Sequence, residues 1–211
     1  MRHSTQASTS GYAIGGATRF AILMAGIVGG IALLLALPAM GWAAKVNFGA
    51  DLKKPGVSAV DSAVPCKWDA DKPCTRLPHF YGDPSPVGGN TYAPHTGVIK
   101  KISVISEKKG SMRIQLGETF NQGLPMGEVE SNGPVIKFKG TGQMETFKVN
   151  IPVFKFDKVG FRTKRAKTLS CSQPGLESSF QFDPPLKPGA PLQVSSWQEE
   201  CTHLIQARMV Y

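Results

Sequence analysis

Residues able to do chemistry are sparse in this sequence and poorly grouped. Beyond the first 44 residues the histidines are His79, His95 and His203, each alone in a loop or at the start of a strand. A lone histidine of that kind reads as a solvated side chain, not as a base or a metal ligand. Asp69 and Asp71 have the alternate spacing of a calcium loop, but Lys67 and Lys72 surround them and no glutamate follows to close the coordination. Asp157 and Lys158 form an acid–base neighbour pair at a bend, where an aspartate serves first as acceptor for the turn's own backbone N–H groups. Gly-x-Ser-x-Gly, His-Glu-x-x-His and the phosphate-cradling Gly-x4-Gly-Lys-Ser/Thr are absent. The expectation is no catalytic residue, no metal, no cofactor and no enzymatic activity.

The cysteines carry more information. Cys66, Cys74, Cys171 and Cys201 make an even set, with no Cys-x-x-Cys to suggest zinc. Two disulfides in an oxidising compartment are expected. Three pairings are possible; Cys66–Cys74 and Cys171–Cys201 are favoured, because each pair flanks a turn-rich segment. Loop-closure entropy assigns such bridges about 2.6 and 3.7 kcal/mol.

Charge and aromatic residues supply two binding surfaces to consider. The chain has 24 basic and 15 acidic residues, a net charge of +9. Lys155, Lys158, Arg162, Lys164 and Arg165 cluster around one bend, as a patch for an anionic envelope polymer, lipid headgroup or acidic glycan would. The plainer reading is a set of lysines that protect strand edges from pairing. Trp68, Tyr81, Tyr92 and Trp197 lie near cysteines or prolines, where their rings either stack on sugars or pack on the disulfides. No alternation of basic and aromatic residues suggests nucleic acid.

These residues need a scaffold, and the N-terminus is not part of it. Phe20 to Leu37 is a run of 18 residues without a polar side chain, preceded by Arg2 and Arg19 and followed by Ala39, Gly41, Ala43 and Ala44. That order fits a signal peptide; as a helix of about 27 Å the run also fits a short membrane anchor. Residues 1–44 are therefore a signal or anchor, and any membrane contact is expected through residues 20–37 if they are retained. Residues 45–65 read as an extended leader and residues 66–211 as the folded domain. The location is then secreted, or anchored on the outer face of the cytoplasmic membrane.

Within the domain the dominant rhythm is alternation. Phe147, Val149, Ile151 and Val153 occupy every second position, the phase slips at Phe154, and it resumes at Val159, Phe161 and Thr163. Such a slip calls for a corner between two strands. Val98–Val104, Met112–Leu116, Val135–Lys139, Ser179–Phe182, Leu192–Ser195 and Leu204–Tyr211 read as further strands. Turns are expected at Lys108–Gly110, Asn121–Gly123, Pro125–Gly127 and Gly140–Gly142, and the Pro/Gly-rich stretch from Cys66 to Gly97 reads as irregular. No window after the apolar run has a helical period. The fold class is all-β, an antiparallel sandwich of jelly-roll kind, with a closed barrel as the alternative.

Three stretches carry a resemblance. They are Ala93-Pro94-His95-Thr96-Gly97-Val98-Ile99, the corner Val153-Phe154-Lys155-Phe156-Asp157-Lys158-Val159-Gly160, and the closing Leu204-Ile205-Gln206-Ala207. Together they resemble a group of secreted bacterial β-sandwich proteins of unknown function, over about residues 60–211. That group has glycine where this chain has Phe156. The resemblance implies a fold and export and supplies no catalytic residues. The resulting expectation is an exported binding or structural module of the cell envelope that uses a basic face. A carbohydrate-binding module using loop aromatics, and a hydrolase with a site assembled from loops, are the alternatives.

Overall fold

The computed structural model describes residues 43–53, 66, 72–80, 90–163, 170–172 and 177–211. The expected signal or anchor, the Asp69–Asp71 pair, and Trp68, Tyr81, Lys164 and Arg165 lie outside them. The described chain is all-β. Its strands are β1 (Lys45–Gly49), β2 (Cys74–Phe80), β3 (Gly97–Ile105), β4 (Gly110–Asn121), β5 (Pro125–Phe138), β6 (Met144–Val153) and β7 (Lys158–Thr163). There follow β8 (Cys171–Ser172), β9 (Glu177–Phe182), β10 (Gln193–Val194), β11 (Trp197–Glu199), β12 (Thr202–His203) and β13 (Ile205–Val210). They form a four-stranded sheet in the order β1-β13-β3-β6, a seven-stranded sheet in the order β10-β5-β4-β7-β2-β9-β11, and the pair β12-β8. Every ladder between these strands is antiparallel.

The alternation seen in the sequence builds the core. Ile99, Ile102, Val104, Ile151, Val153, Ala207 and Met209 of the four-stranded sheet share one buried cluster with Met112, Ile114, Leu116, Ile136, Val159 and Phe161 of the seven-stranded sheet. Burial of that apolar area is the main favourable term in folding. A smaller cluster of Leu77, Val129, Phe180, Phe182 and Leu186 covers the reverse face of the seven-stranded sheet. The corner at 154–157 carries the chain from β6, at the edge of one sheet, to β7, inside the other. Asp157 holds it as expected: its Oδ2 accepts the Phe154 N–H at 2.8 Å.

Several stretches differ from their sequence reading. Lys45–Gly49 falls in the expected leader yet pairs with β13, and Phe48, Ala50 and Leu52 are buried. Their spacing by two residues is a strand signal that the surrounding polar and small residues dilute. Cys74–Phe80, in the stretch read as irregular, is an inner strand despite Pro78. Its ladder to β7 stops at Arg76, so the residue without an N–H has no β7 neighbour to leave unpaired. Pro125–Gly127, read as a turn, opens the 14-residue strand β5, with proline at the first position, where no ladder bond is lost. His79 and His203 are buried in strands, and only His95 is the exposed histidine expected of all three.

Both disulfides have the favoured pairing, Cys66–Cys74 with Cα atoms 5.7 Å apart and Cys171–Cys201 at 5.5 Å. Oxidised, buried cysteines point to an oxidising environment.

Candidate anion-binding site

The strand order sets Arg113 directly opposite Arg162, because β4 and β7 are neighbours in the seven-stranded sheet. Ile114 and Phe161, the next pair along, face the main core, so the two arginines face the other way. They line a cavity of about 360 Å³ together with Ser111, Met112, Val135 and Thr163. Lys137, opposite Ser111 and exposed, adds a third cation on the same face.

Local structure holds each of these residues. The β4–β5 register shifts between Arg113 and Gln115, where Gly133 and Pro134 form a bulge. The bulge frees the Gly133 carbonyl, which accepts a hydrogen bond from Arg113 Nη1 at 3.2 Å. Arg162 stands opposite Thr75 of β2 on its other side. Thr75 donates to Gln115 Oε1 at 2.7 Å and accepts the Leu186 N–H at 3.1 Å, while Gln115 Nε2 donates to Asn132 Oδ1 at 2.9 Å. This buried, satisfied network locks β2, β4, β5 and the segment after β9 together beside the two guanidinium groups.

No carboxylate pairs with either arginine among the described residues, where the ion pair is the buried Arg76–Glu199 at 2.8 Å. Like charges directly across a ladder destabilise it. A bound oxyanion reverses that sign, and planar guanidinium forks suit phosphate and carboxylate.

The structure divides the cluster expected around the corner. Arg162 lines the cavity. Lys155 is exposed at the corner itself, its ammonium 4.8 Å from the centre of the Phe156 ring. Lys158 turns inward: its Nζ donates to Thr119 Oγ1 at 2.6 Å, and burial lowers its pKa to about 8. Of the aromatic candidates, Tyr92 packs at 5.4 Å against Phe156, and Trp197 lies on the edge strand β11. The structure therefore brings no two of the described aromatic candidates together.

Two other clusters contain reactive groups. Thr119 Oγ1 accepts from Lys158, lies 3.1 Å from His79 Nδ1 and donates to the Pro78 carbonyl at 3.1 Å. A hydroxyl beside a lysine of lowered pKa has the outline of a nucleophilic pair. Here, however, the hydroxyl is buried, its bonds are satisfied, and neither residue lines the arginine cavity. The second cluster is Cys171, Cys201 and His203, whose potential ligand atoms lie within 4.8 Å of one another. Both sulfurs are committed to the disulfide, which closes them to a metal. Burial first, then the Arg76 charge, lowers the His203 pKa to about 3.

Sequence reasoning named Arg162 but passed over Arg113. The signal for Arg113 was its place on the polar face of the Met112–Leu116 alternation; which strand would lie beside it was not readable. No family model, no curated protein and no solved structure matches the chain, so the site stands on its geometry alone.

Proposed function

We propose that this chain is an exported, disulfide-stapled sandwich of jelly-roll kind that binds an anionic polymer of the cell envelope and is not an enzyme. The observation that carries the reading is the Arg113–Arg162 pair, set face to face across a ladder at a cavity with no acidic partner among the described residues. A phosphate or carboxylate group would sit between the guanidinium groups, and the polymer would continue past Lys137 on the same face. The disulfides support export, since such bonds persist in oxidising compartments.

The test is calorimetric titration with inorganic polyphosphate and with an oligogalacturonate, which separate phosphate from carboxylate recognition. Binding of at least one that weakens with added salt and disappears in Arg113→Gln/Arg162→Gln is the expected result. Equal affinity of the double variant and the wild type, at equal melting temperature, would reject the site.

A further inference from the structure

The corner between β6 and β7 has a second property. Phe156 adopts φ 78°, the left-handed region that side chains other than glycine seldom enter. That backbone is about 1–2 kcal/mol less stable than the right-handed form for a residue with a Cβ. Burial does not offset the strain, because Phe156 is 49% exposed and its neighbour Phe154 is 55% exposed. Strained, exposed residues of this kind concentrate at contact sites.

The topology places more of the same chemistry beside them. Gly97 pairs with Val153 at the end of β6, and Val98 pairs with Val210, the residue before the 47% exposed Tyr211. Tyr211 stacks on His95 at 3.9 Å, and Phe156 N–H donates to the Ala93 carbonyl at 2.9 Å. Ala44 exchanges both backbone hydrogen bonds with Tyr211, so the chain enters the fold at this same end. The segments that build it are 43–47, 94–100, 150–156 and 208–211. They contain Lys45, Lys100, Lys155 and Arg208 and not one acid. Exposed aromatic residues among lysines are the composition of a surface that settles at a lipid interface.

We propose that this end of the domain docks on an anionic lipid surface, with Phe154, Phe156 and Tyr211 at the level of the headgroups and Lys155 against their phosphates. Lipid is favoured over a second copy of the chain because the face is uniformly cationic and would repel itself.

The test uses the full chain reconstituted in vesicles that carry a doxyl-labelled quencher lipid, with or without phosphatidylglycerol. A fluorophore is attached through Phe154→Cys or, as control, through Thr141→Cys. Thr141 lies in the turn before β6, and the ten residues of that strand separate the two positions by about 33 Å. Strong quenching at position 154 but not at 141, deepened by phosphatidylglycerol, is the expected result. Lys155→Gln should lower the docked-to-free ratio about fivefold, the effect of one lysine near an anionic surface. Phe156→Gly should lower it without loss of folded protein. Equal quenching at 154 and 141, or a disulfide-linked dimer formed through position 154 by the unlabelled Phe154→Cys variant, would overturn the proposal.

Discussion

The His79 imidazole lies flat on the Phe180 ring, with centroids 4.4 Å apart and planes 13° from parallel. The stack has a consequence for acid stability. Burial, and then the nearby Lys158 charge, lowers the His79 pKa from 6.5 to about 4. The unfolded chain therefore binds a proton before the folded one as pH falls, and stability drops between about pH 6.5 and pH 4. His79→Phe removes that dependence. The stability of the wild type relative to this variant should fall by on the order of 3 kcal/mol across the window. Urea midpoints at stepped pH measure it; parallel curves for the two proteins would contradict the assignment.

Asp157 works in the opposite direction. Burial is the main cause that raises its pKa from 3.8 to about 7, although the Phe154 N–H opposes it. The folded state holds its proton over a range in which the unfolded state has lost it, so stability falls as pH rises from about 4 to 7. Asp157→Asn keeps an acceptor for Phe154 and removes the charge. It should stabilise the protein at pH 8 by on the order of 2–4 kcal/mol and do little at pH 4. A variant less stable than wild type at pH 8 would show that the ionised carboxylate is well accommodated.

Arg76 is 2% exposed and faces the 13% exposed Glu199 at 2.8 Å. Removing one partner strands the other, so Glu199→Gln should lose about 3–5 kcal/mol. The double change Arg76→Met/Glu199→Leu should recover most of that loss, because it leaves no uncompensated charge. Chemical denaturation of the two variants beside the wild type checks both statements, and a double variant no better than the single one would count against them.

Phe156 can be examined for strain directly. Glycine accepts φ 78° without penalty but loses about 0.5–1 kcal/mol in chain entropy, against about 1–2 kcal/mol of strain relieved. Phe156→Gly should therefore melt at or above the wild-type temperature. Phe156→Val, whose branched Cβ fits the left-handed region worse, should melt lower. Calorimetric scans that put glycine below valine would mean the Tyr92–Phe156 contact matters more than the backbone.

Legibility in the sequence followed the range of the interactions. The alternations at Met112–Leu116 and Phe147–Val153 were readable because each strand's own pleat decides which side is buried, and the phase slip at Phe154 marked a real corner. The disulfide partners were readable from the turn-rich segments that each pair flanks. Asp157 was read correctly because its role reaches only three residues back. What escaped depends on neighbours distant in sequence. Arg113 gains meaning only when Arg162 lies opposite it. His79 looked solvated until Phe180 covered it, and Thr75 and Gln115 are 40 residues apart before the sheet joins them. β2 escaped because Pro78 argues against a strand in any local window, and only the absent β7 partner makes it harmless.

The pairing of Ala44 with Tyr211 has a mechanical side. β1 and β13 lie next to each other and run in opposite directions, so the two ends of the domain emerge together. Tension applied between them would peel the ladder open one bonded pair at a time, starting at Ala44, instead of shearing all five β1 registers at once. A pull between these two ends would thus load the β1–β13 ladder one register at a time.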